Sequence, residues 1–139
     1  VDDDLAWKRL GEARVGRLAT ADAGGIPHVV PVVFALSGRT LYWAVDQKPK
    51  RSRRLKRLDN IRANPNVEVV VDHYEDDWDR LWWVRATGAA RLVVEDDELR
   101  LALGALAEKY EQYRRSPPEG PVVAVDVSRV TTWSGDPNA

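Results

Sequence analysis

Seven of the ten residues from Lys48 to Arg57 are basic (KPKRSRRLKR), in a 139-residue chain whose net charge is only −1. The run lies where an apolar, aromatic segment, residues 40–46, gives way to residues 51–64, in which Leu55, Leu58 and Ile61 recur at helical spacing. A helix N-terminus carries partial positive charge from its aligned peptide dipoles, so lysine and arginine belong at the other end. An anion that accepts the free N–H groups of the first turn, together with the side-chain donors, removes the conflict. The run therefore predicts a phosphate cradle. At roughly 100° per residue, Arg53, Lys56 and Arg57 fall mainly off the apolar face, while Arg51 projects on the side of Leu58. Lys50 and Arg51 are the strongest candidates for the anion, and Arg53 and Lys56 read as solvated surface.

Other chemistry is sparse. There are no cysteines, which excludes disulfides, thiolate metal sites and a cysteine nucleophile, and suits a reducing compartment. The two histidines, His28 and His73, read as structural or surface residues, and no catalytic residue is assigned. Carboxylates cluster at residues 2–4, 75–79 and 95–98 without metal-ligand spacing, and read as helix caps or solvated faces. They also offset the basic run locally, whereas a general nucleic-acid binder would carry a basic footprint across the domain. No stretch approaches the ~20 apolar residues of a membrane span, and no signal peptide is visible. A single cytoplasmic domain, residues 1–139, is expected.

The elements that must hold this site follow from period and punctuation. Acidic residues 2–4 precede a short amphipathic helix through Leu5, Trp7 and Leu10, which Gly11 weakens. Residues 15–21 and 26–36 read as a hairpin about the turn Asp22-Ala23-Gly24-Gly25, and residues 40–46 as a third strand. Asn64-Pro65-Asn66 stops the basic helix. Residues 67–74 and 81–94 are strands, the second with a bulge or bend at Gly88. Residues 95–115 form the longest helix, with the stripe Leu99, Leu103, Leu106 and Tyr110, and residues 122–127 and 130–133 supply a final strand. Trp82 and Trp83 must face opposite sides of their strand, and Trp78 stands in an acidic loop where no core claims it. About six strands joined by tight turns, with two or three helices, predict a mostly antiparallel barrel rather than a parallel sheet.

The order of a Gly-rich turn, the strand Pro27, Val29, Pro31, Val32, Phe34, an aromatic strand, a basic helix start and Asn64-Pro65 before another strand resembles the split-barrel flavin-binding family of the pyridoxamine-phosphate-oxidase type. The segment Lys48-Pro49-Lys50-Arg51 and the block from Asp72-His73-Tyr74 through Trp78 to Leu81-Trp82-Trp83-Val84-Arg85 resemble its branch that uses coenzyme F-420, a deazaflavin with a phosphate and an oligoglutamyl tail. Where flavin-using relatives carry Ser or Thr before an Arg-Lys pair, this chain has Lys48-Pro49-Lys50. The resemblance implies an FMN-binding-type split β-barrel in which two subunits share each cofactor. It makes Lys48, Lys50 and Arg51 ligands of the phosphate or tail, with Arg54 or Arg57 able to substitute. It gives Pro31, Val32 and Val33 a backbone role at the ring edge, with Trp43 and Ala44 nearby and Trp78 and Trp82 as further contacts.

The implied activity is hydride transfer between F-420 and a small conjugated or aromatic substrate, in a homodimer. The cofactor carries the chemistry, so few catalytic side chains are required. The alternatives are the same fold holding FMN, a non-enzymatic flavin store, or an RNA-binding barrel.

Overall fold

The computed structural model describes residues 3–45 and 55–139. Strand-forming segments bury alternate residues. In β1 (Gly16–Ala21), Leu18 and Thr20 point inward and Arg17 outward; in β5 (Asn66–His73), Val67, Val69 and Val71 are buried between exposed or half-buried neighbours. The other strands are β2 (Pro27–Val32), β3 (Ala35–Ser37), β4 (Thr40–Ala44), β6 (Trp82–Leu92) and β7 (Val122–Ser134). Every pairing is antiparallel, in the order β2-β1-β5-β6-β7-β4-β3. Consecutive strands β2 and β3 thus stand at opposite edges of the sheet while only Val33 and Phe34 join them. The sheet must roll up, and the barrel is split where those edges meet. Its interior is filled by Leu18, Phe34, Leu41, Trp43, Val69, Val84 and Val125.

Among the described residues four α-helices cover the gaps: α1 (Asp3–Glu12), α2 (Lys56–Ala63), α3 (Asp96–Lys109) and α4 (Glu111–Arg115). Helix α1 buries Ala6 and Leu10, α2 buries Asn60 and Ile61, and α3 lays Ala102 and Leu106 over the face of β3 and β4 that turns away from the interior. Among the described residues no helix is long and apolar enough to cross a membrane.

The expected mostly antiparallel split barrel is present, with seven strands rather than about six. Residues 26–36 are two strands, because their continuous apolar character conceals the seam at Val33 and Phe34. Residues 95–115 are two helices, because Tyr110 adopts an extended backbone (φ −119°, ψ 120°). The bulge at Gly88 is found where expected, between Thr87 and Gly88, and a Cβ at Gly88 would collide with the Asp126 carbonyl. The turn before β2 has Gly25 at φ +86°.

One ionic network fastens α3 to the sheet. Arg91 on β6 donates two bonds of 2.8 Å to Glu98 on α3, and bonds of 2.7 and 3.1 Å to Asp126 on β7. Tyr42 on β4 donates to Glu98 at 2.7 Å. Arg91, and then Tyr42, hold the Glu98 carboxyl down to about 2, while burial and then Glu98 push Tyr42 up to about 12.

Candidate functional site

Helix α2 opens at Leu55, which caps it with backbone alone and no side-chain hydrogen bond. Arg57 lies three and four residues before the buried Asn60 and Ile61, so it shares their face. This corrects the expectation that Arg57 sits off the apolar face: Asn60 and Ile61, more than Leu58, define the buried side. Its aliphatic stem follows that side inward and its guanidinium carbon sits 5.2 Å from the centre of the Trp43 ring. The Arg57 Nε is buried with no hydrogen-bond partner, and so is the Trp43 Nε1. Burial pulls the Arg57 pKa down, and among the described residues no carboxylate pairs with it. Lys56, by contrast, is exposed and lies 3.9 Å from Asp22.

The same end of the barrel holds a second polar group. Asn60 donates to Thr20 at 2.9 Å within the interior, and Thr20 is paired in register with His28, whose Nδ1 is also buried and unpartnered. Burying such groups costs ~1–3 kcal/mol each when nothing satisfies them, and three of them gather at this end of the barrel. The chain leaves β4 here under tight control: Val45 donates to the Pro121 carbonyl at 2.9 Å, and Gly120 packs where any Cβ would strike the Val45 carbonyl.

Of the residues singled out from sequence, Lys48, Lys50, Arg51 and Arg54 lie outside the described residues. Trp43 and Arg57 come together, with Ala44 half-buried one residue on. Pro31, Val32 and Val33 run along the split: Val32 points inward, and Pro31 points outward in register with Arg17, Val70 and Arg85. Trp78 and Trp82 stand apart from this group. Trp82 begins β6 and Leu92 ends it, roughly 33 Å of strand away at ~3.3 Å per residue. Leu92 pairs with Val123, which pairs with Trp43.

At the Trp82 end the Arg9 guanidinium covers the indole at 4.6 Å, His73 stacks on it, and Arg9, Arg80, Trp82 and Ser134 line a cleft of about 330 Å³. Trp78 is 75% exposed. His28, read from the sequence as structural or surface, shares the inward phase of Val30 and Val32 on β2.

A family model for pyridoxamine 5'-phosphate oxidase matches residues 5–134. The chain belongs to that family. No curated protein sequence gave a match. Among solved structures, this pyridoxamine 5'-phosphate oxidase family member is similar to a conserved hypothetical protein of Mycobacterium tuberculosis (TM-score 0.77, 20% identity, 97% of this chain and 86% of the other). It is similar to a FAD-binding protein of Mesorhizobium loti (TM-score 0.71, 24% identity, 95% and 92%). It is also similar to HutZ, a heme storage protein of Vibrio cholerae (TM-score 0.72, 15% identity, 95% and 93%). At these identities the likeness is one of fold, the split barrel shared across the family.

Proposed function

We propose that this protein is an oxidoreductase that holds a phosphate-bearing flavin-type cofactor at the α2 end of the barrel, and that the cofactor is the deazaflavin F-420. The carrying observation is Arg57: a half-buried cation at the head of a helix, with an unpartnered Nε over an indole whose own N–H is unpartnered. An anionic group satisfies both and also relieves the charge that the basic run imposes on the α2 N-terminus.

Trp43 and Arg57 would hold that group together with Lys48, Lys50, Arg51 and Arg54, and the backbone of Pro31, Val32 and Val33 would meet the ring edge. The bound deazaflavin supplies hydride at C5 for a small conjugated or aromatic substrate; the protein binds, orients and excludes water. An oligoglutamyl tail gives the seven charges of residues 48–57 more to neutralise than one phosphate does. FMN is the second reading, favoured by the FAD-binding protein among the similar structures.

The site is shared in a homodimer on this reading. Within one chain the Trp43 and Trp82 groups occupy opposite ends of the barrel, and the outer sheet face leaves Trp133, paired with Trp83, 40% exposed. A second copy covering that face would bring one subunit's aromatic end toward the other's basic end.

The test is titration with F-420 of short and long tail and with FMN, each at two salt concentrations. Affinity that rises with tail length and falls with salt is expected, since exposed charge pairs are screened beyond ~8–10 Å near physiological ionic strength. Tighter FMN binding would overturn the deazaflavin assignment, and no binding of either would overturn the cofactor site.

A further inference from the structure

Of the two residues that carry the chain across the barrel's split, Phe34 is held by hydrogen bonds to Lys109 and Tyr110 at the end of α3. Phe34 donates its N–H to the Tyr110 hydroxyl at 3.2 Å, and its carbonyl accepts from Lys109 Nζ at 2.9 Å. The Tyr110 oxygen lies 3.0 Å from the Arg14 carbonyl and 3.0 Å from the Phe34 carbonyl. A phenol has one proton to give, so with Lys109 serving Phe34, the hydroxyl proton is free for Arg14. Arg14 returns the contact by donating from its guanidinium to the Lys109 carbonyl at 3.1 Å, which caps the end of α3. Arg14 also covers the Tyr110 ring at 4.7 Å and Lys109 the Phe34 ring at 4.2 Å. Burial raises the Tyr110 pKa, which keeps its proton in place.

We infer that Tyr110 and Lys109 form a clasp that closes the split of the barrel and thereby sets the position of Pro31–Val33. In a closed sheet, ladder bonds to a neighbouring strand fix each segment; β2 has a partner on one side only, and Phe34 sits between strands. The clasp supplies the missing constraint at the residue that follows Val33. It also accounts for the break between α3 and α4, since Tyr110 reaches the seam from an extended backbone. Tyr110 and Lys109 are positioning residues: they touch the Phe34 peptide, not the cofactor. The effect on binding rests on the function proposed above, whereas closure of the split does not.

The experiment compares wild type with Tyr110→Phe, which keeps the buried ring and deletes the hydroxyl, and with Lys109→Met, which keeps the stem. Amide hydrogen exchange is followed in peptides covering residues 32–36 and, as an internal control, residues 67–71 in the centre of the sheet; FMN and F-420 affinity is measured on the same samples. Loss of one such bond corresponds to about tenfold in an equilibrium constant. The expected result is exchange about tenfold faster in residues 32–36, unchanged in residues 67–71, with affinity about tenfold weaker. Unchanged exchange in residues 32–36 overturns the clasp, and so does faster exchange spread equally over both peptides. Faster local exchange with wild-type affinity overturns its role in setting Pro31–Val33. If wild type binds neither cofactor, the proposed function fails, and the exchange pattern alone decides whether the clasp stands.

Discussion

Arg91 and Arg57 show what two arginines on one small barrel are for. Arg91 meets two carboxylates through four hydrogen bonds, and each carboxylate has a further partner, Tyr42 at Glu98 and Thr40 at Asp126. Arg57 is drawn over Trp43, with no carboxylate partner among the described residues and its Nε enclosed and unserved. A network complete within the chain is structural, whereas an incompletely served cation suits the anion site proposed above. The chain is nearly neutral, and among the described residues its counter-charge is placed around Arg91 and not around Arg57.

The comparison is sharpest in ligand affinity. Arg57→Ala is expected to weaken FMN or F-420 binding by about ten- to a hundredfold, the worth of one charge-assisted hydrogen bond, while Arg91→Ala leaves it unchanged. Isothermal titration on both variants checks this, and equal losses would dissolve the distinction. Stability is expected to show the reverse order. Arg91→Ala strands Glu98 beside Asp126 and is expected to cost about 1–2 kcal/mol, the lower half being favoured because the arginine is 44% exposed. Arg57→Ala is expected to stay within about 0.5 kcal/mol of wild type, or to gain slightly, since it removes a half-buried cation with no carboxylate partner among the described residues. Urea denaturation separates the two.

A smaller effect appears in acid. The Glu98 pKa is depressed from 4.5 to about 2, so its stabilisation is complete above the unfolded value and fades as pH falls from about 4.5 toward 2. Glu98→Gln is expected to flatten that limb of the stability profile, by an amount near 1 kcal/mol once solvent screening is allowed for, and to leave the neutral-pH affinity for cofactor untouched. Thermal melts between pH 2 and pH 6 test it.

Much of the barrel was legible because its signals are local. Alternation marks β1 and β5, Gly88 announces the bulge, and Asn64-Pro65 ends α2 where the helix stops. The seam at Val33 and Phe34 was not legible, because an apolar run reads the same whether it pairs with one neighbour or passes between two. Tyr110 belonged to a convincing helical stripe, and only the hydrogen bonds of a residue 76 positions away show why it leaves the helix. At the candidate site, charge density pointed to the start of α2, and most of the basic run lies outside the described residues. It could not rank Arg57 above its neighbours, since that ranking depends on Trp43 lying underneath, a contact made by packing and not by spacing.

The prolines of β2 give its open edge a chemical sign. Pairing with β1 runs unbroken from Pro27 to Val32, so the prolines, which have no N–H, turn their nitrogens to the unpaired side along with Val29 between them. Three carbonyls face outward there against a single N–H. A strand from another molecule needs donors and acceptors in alternation and finds only half of them, which discourages growth of the sheet by edge addition. A planar ring that offers N–H groups along its rim meets no such shortage. The edge disfavours an added β-strand, a selectivity written in the main chain that rests on Pro27 and Pro31.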